Sequence, residues 1–106
     1  MPTYVSLVNW TEQGVKNFRD TVRRGEDVRG LVEKNGGQLR LLLWTLGEYD
    51  LVSVIDFPDD ETATAVLLQV AAGGNVRTKT MKAFEAEQIT LFPYTTLFRS
   101  CRKSVV

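Results

Sequence analysis

Residues 39–57 read LRLLLWTLGEYDLVSVIDF. Two apolar runs, Leu39 to Thr45 and Tyr49 to Phe57, flank the short connection Leu46-Gly47-Glu48. Runs of this length, bounded by a glycine turn and rich in Leu, Val and Ile, predict two strands. So tight a connection makes them antiparallel neighbours. Gly47 is the residue expected to take a positive φ in the turn.

Similar arms lie on either side of this hairpin. Upstream, Thr3 to Asn9 (TYVSLVN) reads as a strand of β-branched and aromatic residues. Thr11 is a plausible helix N-cap, with Glu12 in the first turn. Val15, Phe18 and Val22 recur at helical spacing, and Val28, Leu31 and Val32 continue the stripe. One long helical region is therefore expected. Gly25 and Gly30 lie inside it, explained by a kink or a close helix–sheet contact, and Gly36-Gly37 ends it. Downstream, Pro58-Asp59-Asp60-Glu61 opens a helix with acids where the helix dipole favours them. Ala63, Val66, Leu67 and Val70 form its apolar stripe, Gly73-Gly74 stops it, and Val76 to Phe84 (VRTKTMKAF) reads as the last strand.

The order is βαββαβ. Right-handed crossovers interleave the two βαβ units as a four-stranded antiparallel sheet, order 4-1-3-2, with both helices on one face. The expected fold class is α+β, ferredoxin-like. A sheet covered on one face alternates apolar and polar residues, but these strands are apolar on both. Strand one sets Val5 and Leu7 against Tyr4, Val8 and Trp10. Strand two sets Leu39, Leu41 and Leu43 against Leu42 and Trp44, and strand three sets Leu51 and Ile55 against Val52 and Val54. Two helices cover one face only. A second copy of the chain is the economical cover for the other, which predicts a homodimer through the open sheet face.

Composition narrows the chemistry. The 106 residues include 13 basic and 13 acidic side chains, one cysteine and no histidine. Histidine-dependent triads, histidine-ligated metals and proximal-histidine haem are excluded, and no cofactor or metal is expected. No apolar run approaches the roughly 20 residues that span a bilayer, and no signal peptide is seen. The stretch TLFPYTTLFRS, residues 90–100, matches residue for residue the translation of a widely used sequencing adapter. Residues 90–106 are therefore expected to be a non-native tail of adapter and read-through, leaving residues 1–89 as one domain with the native C-terminus lost. That tail carries Arg99, Arg102, Lys103 and the lone Cys101, and no acid. Residues 1–89 keep 10 basic and 13 acidic groups, a net charge of −3, which is a poor basis for binding a phosphate backbone.

The segment Trp44-Thr-Leu-Gly-Glu-Tyr-Asp-Leu-Val52, with Gly47, Tyr49 and Asp50, resembles the motif that names the GYD-domain family. Pro2 to Thr11, Pro58 to Ala63 and Gly74 to Thr78 match it further, so the resemblance covers residues 1–86. It implies a small bacterial-type cytoplasmic protein of the dimeric α/β-barrel class. The family is largely without assigned function. Its fold relatives include amino-acid-sensing regulator domains, cofactor-free monooxygenases and haem enzymes, and fold alone does not choose among them.

The candidate ligand-binding residues are Asn9, Trp10, Trp44, Tyr49, Asp50 and Arg77, which the strand order brings to one edge of the sheet. Turn chemistry alone accounts for Gly47, Tyr49 and Asp50. The functional alternative makes Asp50 a proton acceptor or the partner of a polar ligand group. Asp50 and Arg77 are two strands apart, about 10 Å at about 4.8 Å per strand, a gap an arginine spans if both side chains share a face. Trp10 and Trp44 read first as core or interface and second as ligand-stacking rings. Glu48, Asp50 and Asp56 lack the convergence a hard cation needs. RNA-recognition modules of the same strand order carry aromatics on the third strand, where this chain is aliphatic and acidic.

Three readings stand. The first is a dimeric small-ligand-binding or accessory module. The second is a cofactor-independent enzyme, of oxygenase or isomerase type, using Asp50, Asn9 or Tyr49. The third is a structural or interaction protein.

Overall fold

The computed structural model describes residues 1–91. Its elements are β1 (Thr3–Trp10), α1 (Glu12–Lys16), a 3-10 turn (Phe18–Asp20), α2 (Thr21–Lys34), β2 (Gln38–Trp44), β3 (Leu51–Asp56), α3 (Asp60–Ala72), β4 (Val76–Ala83) and α4 (Ala86–Leu91). The strands form one sheet in the order β2-β3-β1-β4, with every neighbouring pair antiparallel. Read from the other edge, this is the expected 4-1-3-2, and the chain is an α+β protein of ferredoxin-like topology. Thr90 and Leu91, the start of the expected tail, complete α4 and are exposed. The rest of that tail lies outside the described residues.

One face of the sheet carries the core. Val32 and Phe57 are fully buried, with Tyr4, Leu39, Ile55, Ala63 and Val66 around them. The Tyr4 and Phe57 rings meet edge to face, with centroids 5.6 Å apart. Asp59 caps α3, its Oδ1 accepting the Thr62 N–H at 2.7 Å, as an acid at a helix start should.

The first helical region departs from expectation. It breaks at Asn17 and does not run continuously to Gly36-Gly37. The Asn17 N–H closes α1 on the carbonyls of Gly14 and Val15. The Arg24 guanidinium then donates to the carbonyls of Asn17 at 2.7 Å and Gly14 at 3.3 Å, satisfying groups that a continuous helix would bond internally. The break resets the helical phase for Val15 and Phe18, and Val22, on α2 itself, lies about 120° round the helix from Val28. Val15, Phe18 and Val22, expected to be buried, are 47–63% exposed, while Val28 and Leu31 pack on the core. Of the two glycines, Gly25 sits against Leu42 and Trp44, the expected close contact, whereas Gly30 faces open space.

The second departure is in β2. The β2–β3 register shifts between Leu39 and Leu41, so Arg40 forms a bulge. A bulge moves every later side chain to the other face. Leu39 therefore joins the core with Leu42, and Leu41 and Leu43 turn outward, 44% and 49% exposed. The expectation that Leu39, Leu41 and Leu43 share a face is corrected.

Candidate functional site

The Gly47 turn organises one edge of the sheet. Gly47 has φ +130°, the conformation expected of it. The Thr45 N–H donates to the Asp50 carbonyl at 2.8 Å, and the Thr45 hydroxyl to the Tyr49 carbonyl at 2.5 Å. Tyr49 and Asp50 thus belong to the turn, and β3 begins at Leu51. The Asp50 N–H donates to the Val8 carbonyl at 2.9 Å, and Asp50 Oδ2 accepts the Trp10 N–H at 2.9 Å. Asp50 thereby ties the turn to the end of β1.

All six candidate residues gather at this edge, since Asn9 pairs with Arg77, Trp10 with Val76 and Trp44 with Leu51. They divide between the two faces. Trp10 and Trp44 lie on the helix side, where Trp44 Nε1 donates to the Thr21 hydroxyl at 2.9 Å. Asn9 and Arg77 lie on the open side. There Lys79 Nζ stands 5.8 Å from the centre of the Tyr49 ring, within cation–π range. Asp50 and Arg77 form no ion pair; the Asp50 carboxylate holds the Trp10 backbone.

Two larger features frame this edge. On the open face, Val5, Leu7, Val52 and Val54 lie half-buried beside the exposed Leu41, Leu43 and Met81. The far end of this apolar surface is bounded by Arg40, whose guanidinium reaches Asp56 at 3.5 Å and Glu85 at 3.2 Å. Between the sheet and the helices lies a cavity of about 350 Å³, lined in part by Trp10, Ser6, Ser53 and Thr78. These hydroxyls were not among the expected site residues. The signal for them is a serine at the inward phase of an apolar strand, seen in YVSLV (4–8) and LVSVI (51–55).

The shifted ionisable groups lie elsewhere, where α3 starts. Burial pushes the Tyr4 hydroxyl up to about 12, helped by its hydrogen bond to Asp60. That same bond, and Lys82, hold Asp60 below the ordinary aspartate range. The backbone N–H of Thr62 does so for Asp59. Through Tyr4 and Lys82, Asp60 fastens α3 to β1 and β4. Among the described residues no cluster of three acidic, histidine or cysteine side chains is placed to hold a metal ion. No helix among them is long and apolar enough to cross a membrane.

A ferredoxin-like sheet with helices on one face, an apolar open face and a glycine-tyrosine-acid turn defines a class of small α+β proteins. Within that class the GYD-domain pattern matches residues 4–92, and the chain belongs to this family. It is 30% identical over 84 residues to a protein of Thermus thermophilus named glutamine synthetase and cystathionine beta-lyase binding protein. That match covers 78% of this chain and 88% of the relative. The crystal structure of TTHA0845, also from Thermus thermophilus, shares the fold, with a TM-score of 0.51 and 24% identity over 81% of this chain and 96% of that one.

Proposed function

We propose that this protein is a homodimeric accessory module that acts by binding other proteins. The observation that carries this reading is the open face of the sheet. Val5, Leu7, Leu41, Leu43, Val52 and Val54 form an apolar surface rimmed by polar groups, Arg40 with Asp56 at one end and Asn9, Arg77 and Lys79 at the other. An apolar centre with a polar rim is the anatomy of a protein interface. A second copy suits it because the two faces are identical, and a twofold axis buries both patches at once. RNA-recognition modules place stacking aromatics on this face; here β1 and β3 offer aliphatic side chains.

The Thermus relative, named for binding two enzymes, supports extending this role to enzyme partners. Asp50, the proton acceptor of the enzymatic alternative, is tied to the Trp10 backbone outside the cavity. Light scattering at micromolar concentration should give twice the 11.9 kDa chain mass. Surface plasmon resonance against glutamine synthetase and cystathionine β-lyase should give saturable binding. A monomeric mass overturns the dimer, and no binding to either enzyme removes that partner class.

A further inference from the structure

The helix-side cavity is separate from the apolar open face, because the sheet stands between them. Its walls are aliphatic, including Leu31 and Leu42 from one side and Val66 and Val70 from the other. Its floor carries hydroxyls. Ser6 Oγ is 2.7 Å from Thr80 Oγ1, so those two satisfy each other. Ser53 differs. It is 5% exposed, it lines the cavity, and its hydroxyl has no partner among the described residues. Among those residues no side-chain polar atom wholly cut off from solvent is left unpaired, so the Ser53 oxygen keeps its accessible surface toward the cavity. A hydroxyl held this way favours an occupant that completes its hydrogen bond.

The two ionisable groups lining the cavity, Arg24 and Asp27, are already engaged. Arg24 holds the carbonyls of Asn17 and Gly14, and Asp27 accepts from Arg23 at 3.0 Å. These bonds hold both side chains to the first helical region. A volume of about 350 Å³ falls at the small end of the range of small-molecule sites. Aliphatic walls with a few well-placed polar groups are the usual anatomy of a small-molecule site; here those groups are Ser53 and, on β4, Thr78.

We propose that this cavity binds a small uncharged molecule, an apolar body carrying one hydroxyl or carbonyl group, with that group hydrogen-bonded to Ser53. This site goes beyond the accessory role and does not depend on the dimer.

The test is an NMR titration of the full chain with 4-ethylphenol and with 4-ethyltoluene, which has the same shape and a methyl in place of the hydroxyl. Both should give saturable shifts confined to the methyls of cavity residues such as Val8, Ile55 and Val70. In Ser53→Ala the dissociation constant of the phenol should rise at least fivefold, while that of the hydrocarbon stays within twofold. Val70→Phe, which fills the cavity from α3, should abolish the binding of both. The absence of saturable shifts in the unaltered protein, or shifts outside the cavity, overturns the site. An unchanged phenol affinity in Ser53→Ala overturns the role of Ser53.

Discussion

The Asp50 carboxylate accepts the Trp10 N–H at 2.9 Å, and its own backbone bonds both Val8 and Thr45. Three strand ends therefore meet on one residue. Removing the acceptor leaves the Trp10 N–H unpaired in a half-buried setting, at a cost of about 1–2 kcal/mol. Asparagine keeps an oxygen where the carboxylate has one. Urea unfolding should therefore show Asp50→Ala losing about 1–2 kcal/mol and Asp50→Asn less than half of that. Equal losses in the two variants would mean that the charge, not the hydrogen bond, is what the turn uses. The type of this residue was legible in the sequence, because an acid after a glycine turn is ordinary turn chemistry. Its partner was not. Strand order put Asp50 and Arg77 at the same edge, but only the geometry shows the carboxylate directed to the Trp10 backbone, while Arg77 sits beside Asn9 on the open face.

At the scale of elements, what could be read depended on whether the pattern had a phase. In β1 from Thr3 to Asn9 and throughout β3 the buried and half-buried positions alternate, and both strands lie close to where the sequence put them, β3 starting two residues later than expected. The run LRLLLW has no phase, since nearly every position is apolar. The bulge at Arg40, which decides which leucines enter the core, leaves no mark in such a run. The first helical region failed for the opposite reason: its apolar spacing was regular but continued across a break. The break is enforced by packing. A Cβ on Gly14 would stand 1.9 Å from the Asn75 carbonyl oxygen, so α1 lies directly on the loop before β4. Thr11 fastens the same contact, its N–H on the Asn75 carbonyl and its hydroxyl on the Gly74 carbonyl. Gly30, in the interior of α2, has nothing within 4 Å. Two Gly→Ala substitutions should therefore act in opposite directions. Gly14→Ala should destabilise by about 1–3 kcal/mol through backbone displacement. Gly30→Ala should stabilise by up to about 1 kcal/mol through helix propensity. Thermal denaturation of the two variants decides it; a destabilised Gly30→Ala would show that α2 needs the space for something that packs there.

For the molecule as a whole, the sheet divides two kinds of apolar surface. The helix side packs over Val32 and Phe57 and retains a partly open cavity, while the open side presents aliphatic side chains in a rim of charges. The doubled hydrophobicity of the strands was visible in the sequence along with the strand order, and it follows from the fold: two helices on a four-stranded sheet leave the second face to be covered from outside. If a second copy covers it, folding and association are linked. A partner that binds only the folded chain stabilises it by mass action, so the melting temperature rises with protein concentration. Leu43 is central to the test because it is 49% exposed on this face and contributes nothing to the buried core of one chain. Leu43→Glu costs the isolated chain little, yet a dimer would bury two carboxylates in its apolar centre without partners. The melting temperature of the unaltered protein should therefore climb over a hundredfold rise in concentration, and that of Leu43→Glu should stay flat at the lower value. A flat profile for both proteins would leave the open face exposed in solution and remove the dimer. A climbing profile for both would place the interface on another surface, of which the exposed Val15, Phe18 and Val22 are the next apolar group.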